Sequence, residues 1–505
     1  MQTAINTRAE TFPFGQNKSG QSRLKLSHAS FKPYPVDTSV ALSGLLEQFK
    51  RDQQAAAVSF RQLVPWLKVG ERASHYLHPY PAKLLPHIAH FFLANRILVG
   101  ADEYVLDPFG GSGTVALETI LSGRTAIYAD ANPLARLITA VKTKPIDPTA
   151  LVAASSEVRE GFRRSRARKL PDVVNLEKWF DPRVASDLVR LRAAISALKD
   201  ETLRDFMRVT FSAVTRKASN SDPRFSVPVR YQKGEARNDT SVADLFDAQL
   251  EANMTRISAL WQVESLGTAT LAGVDARQLR TAEEERMPDG SVGMIISSPP
   301  YAGAQKYVRS ASLSLGWLDL APSKGLRQLE EQTIGREHYA KASWANVGST
   351  GIDEADALIA AIAQENQSRA KIVGTYLVEM RAALSEAVRV LRPGGCFVLV
   401  IGDNTVCGRR FPSSDYLRLM LDRYSGNLTM AANSVAQITV PPGFYVATVA
   451  VEGASVGPVG GAPEGQFFFE LTTSFVDRPG GGFQGGAVVG GYHNTHPFGG
   501  VSGFA

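Results

Sequence analysis

Asp107-Pro108-Phe109-Gly110-Gly111-Ser112-Gly113-Thr114 stands between an apolar run and a helical one, and the elements around it fall into a regular alternation. Ala101–Asp107 reads as a short strand closed by Val-Leu-Asp. Thr114–Ser122 reads as a helix, with Gly123 in the usual place for a C-terminal glycine. Ala126–Ala129 is a second strand that ends at Asp130, and helical spacing resumes at Pro133–Val141. Strand, turn, helix and strand in this order predict a parallel sheet covered by helices. Gly110, Gly111 and Gly113 allow a tight turn and let a ligand approach without a Cβ in the way. The helix that follows offers free N–H groups and a positive dipole end to a carboxylate. No Gly-Lys-Ser/Thr follows, so the octet is not a phosphate-binding P-loop.

Outward from this turn the chain divides by pattern. Residues 1–73 are a polar lead with a short helix around Val40–Lys50, and 74–147 hold the alternation just described. Residues 148–265 carry helical spacing of Leu, Val, Ile and Phe and read as a helical insertion. The α/β pattern returns over 266–455 with strands at Ala269–Val274 and Val292–Ser297. A polar, partly helical stretch over 302–370 follows. Then come a long helix at Lys371–Leu391, a stop at Pro393-Gly394-Gly395, and an apolar strand at Cys396–Ile401. Residues 456–505 are rich in glycine and phenylalanine. They read either as a flexible tail or as a translated frameshift.

A second motif, Ser297-Ser298-Pro299-Pro300-Tyr301, follows the strand Met294-Ile295-Ile296. Open α/β sheets bind ligands at the C-terminal ends of their strands, where this motif falls. Its prolines fix the backbone. An exocyclic amino nitrogen is a poor nucleophile, because its lone pair is delocalised into the ring. Acceptors at Ser298 Oγ and the Pro299 carbonyl can hold its two hydrogens and aim the lone pair at an electrophilic methyl group. Tyr301 can stack on a base taken out of its helix.

Together these stretches resemble the amino-group DNA methyltransferases, which act on cytosine N4 or adenine N6. The resemblance spans roughly residues 74–145 and 269–404. It implies a class I fold: a mostly parallel seven-stranded sheet with helices on both faces, interrupted here by the helical insertion. It implies S-adenosylmethionine as cofactor, held by Asp107 to Thr114, by Asp130 and Asn132 of Tyr-Ala-Asp-Ala-Asn-Pro, and by Asp275. Lys83 of His-Pro-Tyr-Pro-Ala-Lys would lie at the methionine end of the cofactor. Ser298, Pro299, Pro300 and Tyr301 would be catalytic. Ser-Pro-Pro-Tyr is the form common in cytosine-N4 enzymes, with adenine N6 and guanine N2 of RNA as alternatives. A further alternative is a non-catalytic DNA-binding subunit. A C5-cytosine enzyme would use a Pro-Cys pair, and neither Cys396 nor Cys407 follows a proline. A restriction–modification or other defence setting, with a cognate partner component, is also implied.

Composition fits this reading. The formal net charge is +6 over 505 residues, divided as +9 over residues 1–421 and −3 over the remainder, which suits a polyanionic partner such as DNA. Arg216, Lys217, Asn220, Arg224 and Arg230 lie in a turn-rich stretch suited to nucleic-acid contact, so residues 148–265 are the expected target-recognition region. Two cysteines argue against a disulfide framework or an all-cysteine zinc site, and no metal is expected. No signal peptide or membrane-spanning run is apparent, so a cytoplasmic setting is expected.

Overall fold

The computed structural model describes residues 34–52, 58–81, 83–231, 240–302 and 306–425. It also describes the strand Tyr445–Ala450 and the paired dipeptides Phe12–Pro13 with Arg23–Leu24 and Val476–Asp477 with Phe483–Gln484. Most of the glycine-rich stretch 456–505 lies outside the described residues.

Five strands form the centre: Val105–Asp107 (β1), Ala126–Tyr128 (β2), Ala269–Leu271 (β3), Val292–Ser297 (β4) and Leu391–Ile401 (β5). A small antiparallel hairpin, Asn404–Val406 (β6) with Arg409–Phe411 (β7), follows β5. Tyr445–Ala450 (β8) pairs with β5, so the sheet runs β8-β5-β4-β1-β2-β3, with every pair parallel. Where seven strands were expected, six are found among the described residues.

Both faces of the sheet are covered, and the strands alternate accordingly. Met294, Ile296 and Val398 pack on one face with Phe91 and Phe92 of Pro86–Leu93 (α2, after α1 at Ser39–Asp52). Ile295, Phe397 and Leu399 point to the other face. They share their core with Tyr376, Leu377 and Met380 of the helix Gln367–Val390.

Three boundaries differ from the sequence reading. β3 stops at Leu271, because the chain turns at Gly273 in the left-handed region, φ +90°. The long helix starts at Gln367, where Asn366 caps it by accepting from the Arg369 amide at 3.1 Å. Pro393-Gly394-Gly395 does not separate helix from strand. Pairing already begins at Leu391 opposite Val292 and resumes at Cys396 opposite Met294, so the three residues form a bulge inside β5.

Thr114–Leu121 (α3) and Pro133–Lys142 (α4) flank β2. Between α4 and β3 the chain inserts four long helices: Pro148–Arg164 (α5), Pro182–Ser196 (α6), Glu201–Lys217 (α7) and Val242–Trp261 (α8). Three of them start with a side-chain cap, from Asp147, Asp200 and Ser241. Tyr307–Trp317 (α9), which follows the Ser-Pro-Pro-Tyr loop, ends in the fully buried Trp317. Its ring lies 5.3 Å from Phe180 and 6.1 Å from Phe211 of α7, so the insertion shares one core with the loop's own helix. Asp353–Glu365 (α10), Gln367–Val390 (α11) and Ser413–Ser425 (α12) complete the layers.

One buried polar cluster escaped the sequence reading. Glu118 of α3 is fully buried. It accepts from Arg72 Nε and Nη2 at 2.6 Å each, from the Tyr34 hydroxyl at 2.9 Å, and faces His75 Nε2 at 2.7 Å. Burial alone would raise its pKa, but the Arg72 charge and these hydrogen bonds hold it well below the usual carboxylate range. The cluster ties the segment before β1 to the helix that follows the glycine turn.

Candidate active site

The chain leaves β1 toward β2 and β3 on one side, then returns to lay β4 and β5 on the other. The crevice between the ends of β1 and β4 is therefore a topological switch point, where open sheets bind ligands. One cleft of about 660 Å³, counted to its open mouth, occupies it. Its walls include Pro108, Phe109 and Gly111 from the β1 loop, Asp130 and Asn132 from the β2 loop, and Asp275 after β3. Ser298 and Pro300 come from the β4 loop. The two motifs, almost two hundred residues apart, thus face one space.

The glycine turn needs its glycines. Gly111 has φ +51° and Gly113 φ +72°. A Cβ on Gly113 would lie 2.7 Å from Thr139 Oγ1, whereas one on Gly111 would meet nothing closer than 3.8 Å, on the open side. The Gly111 amide donates to Asp130 Oδ2 at 2.8 Å, and the Asn132 amide donates to Oδ1 at 2.7 Å. Asn132 also caps α4 through the Leu134 amide at 3.0 Å and donates to the Tyr80 hydroxyl at 3.2 Å. Burial raises the Asp130 pKa against the pull of those two amides.

Asp107 is buried and does not line the cleft. Its Oδ1 accepts from the Phe109 amide at 3.1 Å and from Ser297 Oγ at 2.7 Å. Ser297, one residue before the expected catalytic serine, thus fastens the end of β4 to the end of β1. Burial pushes the Asp107 carboxyl up to about 7, against the lowering effect of both hydrogen bonds.

Other expected residues take varied places. Ser298 bonds the Tyr301 hydroxyl. Tyr301 itself packs into the core shared with α11 and is not among the cleft-lining residues, nor is Pro299. Asp275 is held by Arg277 Nε at 2.8 Å and Nη2 at 2.9 Å. The Lys83 ammonium donates to the His78 carbonyl at 2.5 Å, away from the cleft wall, and burial lowers it to about 8. Ser112 and Thr114 are buried in the turn. The cleft also has walls that the sequence reading left unnamed: Tyr80, Ala131, Val274, Ala276, Tyr307 and the Gln332–Ile334 segment. Tyr80 stands within the quoted His-Pro-Tyr-Pro stretch, so the signal for it was at hand.

No family model matches the chain, and no solved structure matches it. Among curated proteins, the chain is 23% identical over 370 residues to the type II methyltransferase M.MvaI of Kocuria varians, covering 70% of this chain and 82% of that protein. It is 36% identical over 73 residues to the type II methyltransferase M.MjaII of Methanocaldococcus jannaschii, covering 14% of this chain and 13% of that protein. Over most of its length the chain is thus similar to a type II methyltransferase, in line with the amino-group DNA methyltransferase resemblance of its two motifs.

The methyltransferase places its expected nucleic-acid residues unevenly. The Arg216 guanidinium turns inward to the Ser226 carbonyl at 2.6 Å and to the carbonyls of Phe225 and Val227. Lys217 donates to Gln249 at 2.8 Å, and Asn220 is buried against Asp181. Arg224 and Arg230 are exposed. Among the described residues no cluster of three or more metal-ligating side chains occurs, and no helix is long and apolar enough to cross a membrane.

Proposed function

We propose that this methyltransferase moves the methyl group of S-adenosylmethionine to an exocyclic amino group in DNA at specific sites, with cytosine N4 the first acceptor to test. The observation that carries this reading is the single cleft walled by Phe109, Gly111, Asp130 and Asp275 on one side and by Ser298 and Pro300 on the other. The names of the two relatives, both type II methyltransferases, support the reaction class.

The residues fit the cofactor. The left-handed glycine turn leaves space where a side chain would stand, and Asp130 is a half-buried carboxylate oriented by two amides with lone pairs to spare. Asp130 would accept the ribose hydroxyls, Asp275 and Val274 would flank the adenine, and Tyr80 and Asn132 would bound the methionine side. When bound, the cofactor supplies an electrophilic methyl group on sulfur. The chain's part is orientation. Ser298 Oγ and the Pro299 carbonyl hold the two hydrogens of the target amine, and the proton lost after transfer leaves through such an acceptor. Ser297 keeps the loop in register with the glycine turn. Neither cysteine lines the cleft, and Cys396 is buried in β5, where burial raises its thiol pKa to about 12.

The sheet order and two-sided cover support a class I methyltransferase fold, with the cofactor half at 74–147 and the catalytic half at 266–455. The helices of 148–265 are the proposed target-recognition region. A restriction–modification or defence setting in the cytoplasm completes the proposal. The test is incubation with labelled S-adenosylmethionine and unmodified DNA, then nucleoside analysis. Label in N4-methylcytosine is expected, and label in N6-methyladenine would move the acceptor. Label in RNA alone, or none at all, would overturn the reading.

A further inference from the structure

The inner ends of Arg216 and Asn220 build a feature at the end of α7 that the cleft does not explain. Residues Asn220–Tyr231 fold back as a hairpin. The Asp222 amide donates to the Val229 carbonyl at 2.7 Å, and the Tyr231 amide to the Asn220 carbonyl at 3.3 Å, with Ser221 opposite Arg230. At its tip, Asp222-Pro223-Arg224-Phe225 forms a turn closed by the Phe225 amide on the Asp222 carbonyl at 3.4 Å, with proline at the second position, where its fixed φ fits. The Arg216 guanidinium fills the inside of the tip and draws in the carbonyls of Phe225, Ser226 and Val227. The base of the hairpin is pinned by the Asn220 amide on the Trp179 carbonyl at 2.7 Å.

This scaffold turns the carbonyls of residues 225–227 to Arg216, buries Asp222 and Pro228, and leaves the side chains of Arg224, Phe225 and Ser226 exposed. Phe225 is 42% exposed, and it is the one phenylalanine among the exposed large apolar side chains of the described residues. Arg224, its neighbour in the turn, is exposed and ion-paired to Asp222, and Arg230, opposite Ser221, is exposed as well. A loop stabilised by polar contacts has no folding reason to carry an exposed phenyl ring beside arginines. A polyanion whose interior is a stack of aromatic rings gives one. The α7 end that bears the hairpin is also tied to the cleft wall. Lys217 donates to Gln249, Gln249 to Asn253, and Asn253 to the Leu77 carbonyl, three residues before Tyr80.

Resting on the proposed action on duplex DNA, we infer that the 220–231 hairpin is the element that enters the duplex. Arg224 and Arg230 take phosphates, and the Phe225 ring inserts into the base stack to hold the gap left by the extruded target. Apolar wedges of this kind offset the unstacking that flipping requires.

The experiment compares wild type, Phe225→Ala and Phe225→Trp on two DNAs that carry the modified site found by nucleoside analysis and sequencing. One is fully paired and the other has an abasic residue opposite the target, which is already unpaired. Phe225→Ala should lose about ten-fold or more in kcat/KM on the paired duplex, the scale of one aromatic–base stack, and stay within about two-fold of wild type on the other. Phe225→Trp should retain activity. With 2-aminopurine at the target, the fluorescence rise on binding should shrink for Phe225→Ala only. Unchanged S-adenosylmethionine binding shows that the variant is folded. Equal losses on both DNAs, or no loss on either, would overturn the wedge while leaving the methyltransferase reading intact. A wild-type protein that modifies no DNA would overturn the reading beneath it.

Discussion

Asp107→Asn should make the ligand-free protein more stable at neutral pH while weakening its function. Asp107 is 5% exposed, and burial lifts its carboxyl to about 7, from about 4 in an unfolded chain. The folded value lies above the unfolded one. The side chain's contribution to stability is therefore full below about pH 4 and is lost as pH rises to about 7. Each unit of that interval is worth about 1.4 kcal/mol, so the whole is about 4 kcal/mol. Asparagine keeps an acceptor for Ser297 and does not titrate. The stability difference between variant and wild type should grow by about 2 kcal/mol from pH 5 to pH 7 and level off above pH 8. Urea unfolding at pH 5, 6, 7 and 8 measures it. Ser297→Ala removes the hydroxyl that donates at 2.7 Å to the ionised form, so its loss of stability should continue to higher pH than in wild type. A difference between Asp107→Asn and wild type that is constant from pH 5 to pH 7 would refute the argument. Although Asp107 stands behind the cleft wall, its negative charge would favour a cationic ligand there through space. Titration of S-adenosylmethionine by calorimetry should therefore show weaker binding for Asp107→Asn at pH 8 and a smaller deficit at pH 6, where wild type is itself mostly protonated.

Three more outcomes are expected. Ser298→Ala should lower kcat by about a hundred-fold with little change in cofactor affinity, as for loss of one aligned polar contact in a reacting centre, read by single-turnover methyl transfer. Gly113→Ala should cost at least about 1–2 kcal/mol of stability. Its φ is +72° and the new methyl would meet Thr139 at 2.7 Å, so thermal unfolding should show a lower midpoint, partly restored by adding Thr139→Ala. Glu118→Ala should destabilise by about 3–5 kcal/mol by leaving Arg72 buried without its carboxylate. Denaturant titration checks this, and Glu118→Gln should recover only part.

What was legible in the sequence was what local chemistry enforces. The glycine turn, the acid after β2 and the apolar β4 strand each declare themselves within about ten residues. The parallel sheet follows from their alternation, because a glycine turn between strand and helix leaves the chain little else to do. The boundaries that slipped did so where long-range pairing overrode a local signal. Pro393-Gly394-Gly395 has the composition of a break, yet Leu391 pairs with Val292 and the three residues are carried as a bulge. Likewise Asp107 looked like a ligand contact from its place at a strand end. Only the fold shows that its carboxyl turns to Ser297 and that Asp130 faces the cleft instead.

The cleft's remaining walls were illegible for a different reason. Tyr307 and Gln332–Ile334 come from the polar stretch after Ser-Pro-Pro-Tyr, whose course depends on what it packs against rather than on its own periodicity. That packing has a consequence for specificity. The Gln332 carbonyl accepts from Arg277 at 3.2 Å, and a Cβ on Gly335 would sit 3.2 Å from the Tyr301 carbonyl. One short segment thus touches both the loop after β3, on the cofactor side, and the loop after β4, on the acceptor side. Gly335 has φ +79°, a conformation that a side chain disfavours, so the close approach and the left-handed turn demand the same residue. A change there would move both loops at once, which a glycine turn or a proline pair alone could not do. The link between the proposed donor and acceptor sides of the cleft therefore lies in the stretch that periodicity reads worst.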